Sequence, residues 1–347
     1  MLRKISDEEA RETLKIWKEI FFKLDAQDKK LARDPKNLYE RANAIRQKHQ
    51  GNSCCVHAII EFSNYCRCDC LYCGIRRGNT SLNRYRMEIP EILAAVGDAV
   101  KLGFQAFILQ SGEDIYYTDD LLVEIVKEIR KKYSVLLFMS VGERSLDAYR
   151  RMYDAGARGV LLRFETSNEK LYEKMKPNDG NLLNRRTNLI RCLREMGYLI
   201  VTGSLIGLPG QTAADIMKDI KMTADLGAEM FSFGPFISHS DTPLAGAKTP
   251  TLKKILDTIA QARIMNPDAK ILVTTALETL WGLDGAKEAL MAGANSLMIN
   301  VTPQKYRKLY DIYPKRFGTD LDVQEHINAA IDLLKSLGRA PTDLSVS

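Results

Sequence analysis

From His57 onward the chain alternates short apolar runs with longer amphipathic segments. The short runs are HAIIEF (57–62), FQAFILQ (104–110), VLLFMS (135–140), GVLLRFE (159–165), LIVTGSLIG (199–207), EMFSFGPF (229–236), KILVTT (270–275) and NSLMIN (295–300). Rich in β-branched and aromatic residues and bounded by turn formers, they predict strands. Between them, segments such as EILAAVGDAVKLG, DDLLVEIVKEIRKK, NLIRCLREMG and LKKILDTIAQARIM repeat apolar positions with a helical period. This alternation predicts parallel strands joined by helical crossovers, and eight such units predict an α/β fold, a complete (β/α)8 TIM-type barrel. Residues 1–50 read as an N-terminal helical extension with a capping box at Ser6 and Glu9. Residues 51–347 read as the barrel, closed by the helix INAAIDLLKSLG, with APTDLSVS as a loose tail.

Composition narrows the class without changing this picture. With 347 residues, 45% of them hydrophobic and 27% charged, the chain can bury a large core. The net charge of +6 comes from 50 basic and 44 acidic residues interspersed along the chain. This is compatible with a small anionic ligand, is equally a solvated mixed surface, and is too diffuse to argue for nucleic acid; no nucleic-acid partner is expected. Seven cysteines, all but Cys192 between Cys54 and Cys73, do not form a disulfide framework. With no signal peptide and no apolar run of about 18 residues, the expectation is a reduced, cytoplasmic protein with no membrane partner.

The chemistry is concentrated in SNYCRCDCLYCGIRR, Ser63 to Arg77, just past the first predicted strand. Cys66, Cys70 and Cys73 are spaced C-x3-C-x2-C and offer three thiolates, one short of a closed tetrahedral shell. A structural zinc site needs a fourth ligand, which Cys68 or Cys55 could provide in a metal carrier or zinc-stabilised barrel. A 4Fe-4S cluster held by three cysteines leaves one iron open for chemistry. Tyr72 places a ring beside the last cysteine, and Gly74 permits close backbone approach.

Other candidates fall at strand ends, where barrels place their active sites. Ser111, Gly112 and Glu113 in QSGED can present backbone carbonyls and a carboxylate, or form an ordinary turn. Ser140 and Glu143 are polar groups that could face a ligand or cap a helix. Arg163 and Glu165 lie on one side of a strand by alternation, as a ligand-binding pair at the mouth or a structural ion pair. Asn184, Arg185 and Arg186 read as a loop before a helix, where an arginine could clamp a carboxylate. Gly203, Gly207 and Gly210, with Ile206 among them, would let a flat ring lie against the strand end. His239 and Asp241 suit a capped turn, and Thr274 and Thr275 aim hydroxyls at the mouth.

The cysteine spacing with its preceding aromatic residue resembles the radical S-adenosylmethionine (SAM) superfamily. The combination AIIEFSNYCRCDCLYCGIRR, NRYRM, LQSGEDIYY, LLRFETSN, GSLIGLPGQT, GPFISHSDTPLA, TTA and GANSLMINVTP, from about His57 to Gly338, resembles the FeFe-hydrogenase maturase HydE, in a group with methylornithine synthase and biotin synthase. The resemblance implies a 4Fe-4S cluster on Cys66, Cys70 and Cys73, with Cys68 a bystander. It also implies SAM chelated at the open iron, and reductive cleavage to a 5′-deoxyadenosyl radical that attacks a small substrate inside the barrel. For HydE that substrate is a cysteine-bound iron species with carbonyl and cyanide ligands. Cofactor contacts are implied for Tyr72, Ser111, Gly112, Glu113, Ser140, Arg163, Glu165, Arg185, Gly203, Ile206 and Gly207, and substrate contacts for Thr274, Thr275 and Ala276. Implied partners are an electron donor such as ferredoxin or flavodoxin and the other hydrogenase maturases.

The chain departs from the maturase pattern in having no C-terminal cysteines for an auxiliary cluster, Phe164 where HydE reads histidine, and ALETLWGLDG after Thr275. These departures keep open a HydE-like paralogue acting on another molecule, such as a methylornithine synthase-like mutase. A sulfur-inserting enzyme would need a further cluster, for which there is no cysteine set.

Overall fold

The computed structural model describes residues 8, 11, 12, 15, 16, 38–177 and 183–345; the capping box expected at Ser6 and Glu9 lies outside them. The eight predicted strands all form. β1 (Ser53–Ser63), β2 (Ala106–Ser111), β3 (Leu136–Ser140), β4 (Gly159–Leu161), β5 (Leu199–Thr202), β7 (Met230–Phe231), β9 (Lys270–Ile271) and β10 (Ser296–Asn300) pair in parallel, in the order β10-β1-β2-β3-β4-β5-β7-β9. The ring closes between its ends: the Asn295 N–H donates to the Ile271 carbonyl at 3.0 Å, and the Val273 N–H donates to the Ser296 carbonyl at 2.9 Å.

Two apolar layers follow from the period-2 alternation of side chains. Val56, Ala58, Ile60 and Phe62 on β1 point outward into the main core beneath the helices. Ile59 points inward, where it meets Ile108, Phe138, Val201, Met230, Leu272 and Met298. This inner layer plugs the barrel, with a partly polar cavity above it at the strand C-termini and the buried side chains of Cys55 and His57 below it at the N-termini.

The fifth and sixth predicted runs each break in two. β5 stops before Gly203, and β6 (Leu205–Ile206) pairs with β8 (Gly234–Pro235) as a separate ribbon at the mouth. Gly203 has φ +156°, and a Cβ there would lie 2.2 Å from the Ser232 carbonyl oxygen, so close backbone packing fixes the break and requires glycine.

The crossovers are α2 (Ile89–Lys101), α3 (Asp119–Lys132), α4 (Leu146–Ala155), α5 (Glu169–Met175), α6 (Leu183–Glu195), α7 (Ala213–Asp225), α8 (Leu252–Met265) and α9 (Thr275–Met291). Thr118, Ser145, Thr212 and Thr274 cap the N-termini of α3, α4, α7 and α9 with side-chain oxygens. Before the barrel, α1 (Leu38–Gln50) packs Ala42 and Ile45 on Ala260 and Ile264 of α8. After it come α10 (Gln304–Arg307) and the closing helix α11 (Val323–Ser336).

Two expectations are corrected. Arg185 and Arg186 stand in the first turn of α6, not in a loop. The C-terminal segment is not a loose tail: β11 (Ala340–Thr342) pairs in parallel with β1, and the Gln105 N–H donates to the Asp343 carbonyl at 2.9 Å. Its backbone groups are satisfied across the base of the barrel.

Candidate active site at the mouth of the barrel

The cysteine loop leaves the C-terminal end of β1 and is pinned on several sides. The Asn64 side-chain amide donates to the Asn83 and Leu309 carbonyls at 2.8 and 2.7 Å. The Gly74 N–H donates to the Ile312 carbonyl at 2.9 Å, and a Cβ on Gly74 would lie 2.0 Å from the Asp311 carbonyl oxygen. The close approach that requires Gly74 is therefore to the C-terminal segment. Gly112 has a similar role, since a Cβ there would lie 2.2 Å from the Tyr65 carbonyl oxygen, and the next N–H, of Glu113, donates to the Cys66 sulfur at 3.4 Å.

A cavity of about 310 Å³ sits above the apolar plug, with Cys66, Cys70 and Cys73 together on its wall. Tyr72, Ser111, Gly112, Glu113, Ser140, Arg163, Glu165, Thr274, Thr275 and Ala276 line it too. Burial pushes the Cys70 and Cys73 thiols up to about 12, so a metal centre bound there must displace their protons. Burial also raises the Glu113 carboxyl, but Arg186, Lys176 and Arg67 outweigh it and hold the group below the usual range.

Glu165 has φ +69°, a conformation costly for a residue with a Cβ. It is held there by its N–H donating to the Gly203 carbonyl at 3.2 Å and its carbonyl accepting from Leu205 N–H at 2.8 Å. This twist turns the carboxylate towards Arg163, whose Nη2 lies 2.9 Å from Glu165 Oε2. The pair is close in charge but poorly aligned: Arg163 Nε and Nη2 and Glu165 Oε2 are buried without a hydrogen bond. Unsatisfied buried groups of both signs beside three thiols fit a zwitterionic ligand such as the amino-acid end of SAM next to a cluster.

Other candidates land elsewhere. Arg185 faces a neighbouring groove with Arg67, Arg144 and Cys192, its Nε 3.1 Å from Glu143, while Arg186 turns into the cavity. The Gly203 side faces the Ser232 backbone, and a Cβ on Gly207 would meet Pro250 at 2.7 Å. Ile206 is fully buried in the outer core, whereas its neighbour Leu205 lines the cavity. Phe164 is also fully buried in the outer core, so it does not replace a donor within the site. Glu143 binds arginines rather than capping a helix. His239 Nδ1 accepts from the Asp241 N–H at 3.0 Å, the capped turn expected. Cys68 faces the same cavity, close enough to Cys66 that the two thiols affect each other's ionisation. Cys55 cannot complete a site with the triplet: the eight residue-to-residue steps of extended strand from Cys55 to Ser63 carry the chain ~26 Å.

Sequence reasoning missed Lys176, Glu61, Arg316, Tyr310 and Tyr313, which also line the cavity. Glu61 was legible in principle, since alternation from Ile59 places it inward; it pairs with Arg316, whose Nη1 is 3.0 Å away, and accepts from Asn300 Nδ2 at 2.8 Å. The others come from segments with no strand or helix period to read.

Three thiols beside the buried, incompletely hydrogen-bonded Arg163–Glu165 pair at the mouth of a parallel barrel fit a radical SAM enzyme. The family model for the radical SAM superfamily matches residues 60–223, and that for the biotin and thiamin synthesis associated domain matches residues 232–339. The chain is 41% identical over 305 residues to the [FeFe] hydrogenase maturase subunit HydE of Thermotoga maritima, covering 88% of this chain and 86% of that one. It is 29% identical to 3-methylornithine synthase of Methanosarcina acetivorans, over 88% and 85% of the two chains. The chain belongs to the radical SAM superfamily and, within it, to the HydE family. Its cofactors are accordingly a 4Fe-4S cluster and SAM, and neither the mutase-like paralogue nor the zinc-stabilised barrel is favoured. Methylornithine synthase (PylB) shares the fold with a TM-score of 0.79 at 24% identity, over 94% of this chain and 97% of that one. The hydrogenase maturase HydG does so with a TM-score of 0.77 at 17% identity, over 99% and 78%. Among the described residues no helix is long and apolar enough to cross a membrane.

Proposed function

We propose that this enzyme acts in maturation of the FeFe-hydrogenase active site, in the cytoplasm, on a small substrate held in the barrel. The observation that carries this is 41% identity to HydE across most of both chains. In this reading Cys66, Cys70 and Cys73 hold the cluster, while Arg163 and Glu165 take the polar ends of SAM. Ser111, Gly112, Glu113, Ser140 and Tyr72 complete the cofactor wall. When bound and reduced by one electron, these cofactors supply a 5′-deoxyadenosyl radical.

The chain's own contribution is positioning and the exclusion of water. Ile59, Leu272 and Met298 form an apolar floor, Thr274, Thr275 and the Glu61–Arg316 pair offer polar contacts to the substrate, and Ala276 an apolar one. The electron enters at the cysteine loop from a ferredoxin- or flavodoxin-type donor, and the product passes to the other maturases. Helix α1 serves as an extension outside the catalytic barrel.

The test is hydrogenase activity in an anaerobic maturation assay supplied with the other maturases. This protein should support it, and a Cys66→Ala variant should not. Reductive SAM cleavage without maturation would overturn the hydrogenase role and leave the radical chemistry standing.

A further inference from the structure

The opposite end of the barrel carries a second cluster of ligand-type side chains. Below the apolar plug, Cys55 and His57 continue the inward-facing series of β1 that runs upward through Ile59 to Glu61. Both are 3% exposed. Asp343, the residue after β11, reaches beneath them, with its Oδ2 3.2 Å from His57 Nε2. One ligand atom from each of Cys55, His57 and Asp343 lies within 4.8 Å of the others.

We propose that Cys55, His57 and Asp343 form a binding site for a borderline divalent metal ion such as Zn2+, separate from the cysteine cluster and fastening the C-terminal strand across the barrel base. Sulfur, imidazole and carboxylate are the donor types such an ion takes, and their spacing lets one ion touch all three after small side-chain shifts. Thiolate and carboxylate together supply the two negative charges that balance it. The surroundings already orient the donors: the Thr342 hydroxyl lies 3.5 Å from the Cys55 sulfur and can donate to it, while His57 stacks on Phe138 with 5.8 Å between ring centres.

Asp343 is held at φ +64°, one of three non-glycine residues with positive φ among the described residues; another is Glu165 at the mouth. The twist is fixed by β11 pairing with β1 and by the Gln105 N–H on the Asp343 carbonyl. It turns the carboxylate under the barrel, where the side chain, 31% exposed, leaves an entry path and room for water as a fourth ligand. Among the described residues Lys270, half-buried, also bears on the site: its ammonium favours the Cys55 thiolate and must withdraw when an ion enters.

The experiment uses the full chain with Cys66, Cys70 and Cys73 changed to alanine, so that no cluster contributes. Anaerobic titration with Co2+ should give a thiolate-to-cobalt charge-transfer band and visible d–d bands saturating at one equivalent, with Zn2+ displacing the cobalt and raising Tm. Cys55→Ser should abolish the charge-transfer band. Asp343→Asn, at a partly exposed position, should weaken Co2+ at least tenfold with the circular dichroism unchanged. Lys270→Met should tighten binding by removing the competing ammonium. Absence of the charge-transfer band at one equivalent in the folded parent, or binding that survives Cys55→Ser and Asp343→Asn unchanged, would overturn the site.

Discussion

Arg186 holds Glu113 across the cavity wall, Nη2 to Oε1 at 3.0 Å, while its Nε donates to Glu143 at 2.8 Å. One buried guanidinium therefore compensates two buried carboxylates, whereas Arg185 meets Glu143 from a half-exposed position. Removing one partner of a buried ion pair leaves an uncompensated charge and costs about 3–5 kcal/mol; an exposed one contributes roughly 0–1 kcal/mol. Arg186→Ala should lower unfolding free energy by the first amount and Arg185→Ala by the second, measured by anaerobic denaturant unfolding of the cluster-free protein. Equal small losses would mean that Arg186 does not organise the cavity wall.

Cluster ligation can be separated from proximity, because Cys68 faces the cavity together with the triplet. After anaerobic reconstitution, alanine at Cys66, Cys70 or Cys73 should remove most of the iron-sulfur absorbance, and Cys68→Ala should retain it. Comparable loss from Cys68→Ala would require a different ligand set.

The orphaned polar atoms of Arg163 and Glu165 predict a direct part in SAM binding. Glu165→Gln should weaken SAM by about 1.5–3 kcal/mol, the range for a hydrogen bond to a charged group, with the cluster spectrum unchanged. Phe164→His, one residue away but facing the outer core, should leave SAM affinity as it is. Calorimetric titration of both variants decides this; unaltered affinity in Glu165→Gln makes the pair structural.

His326 on α11 is buried, and burial followed by Arg307 lowers its pKa from 6.5 to about 4. Between these values the unfolded chain takes up a proton that the folded chain refuses. Stability should therefore fall as pH drops from about 6.5 towards 4, by roughly 3 kcal/mol in total. His326→Leu should flatten this dependence in urea unfolding of the cluster-free protein between pH 7 and 4.5. An identical pH slope in variant and parent would show that other groups control the acid sensitivity.

The sequence by itself determined the strand-helix alternation, the number of barrel strands and the cysteine loop after the first of them. These are local properties: a period of two or 3.6 and a ligand spacing are written in neighbouring residues. Tertiary structure alone decided what lies beyond regular backbone. Alternation puts Arg163 and Glu165 on one side, but the strand ends at Leu161. The positive φ that turns Glu165 towards Arg163 is set by backbone bonds to Gly203 and Leu205 that the local pattern does not encode. Arg186 rather than Arg185 enters the cavity because α6 begins one turn earlier than its pattern indicates, and helix phase selects the inward side chain. Arg316 and Asp343 come from segments without periodicity, and they reach Glu61 and His57 only because the barrel closes and brings residues more than 250 positions apart together.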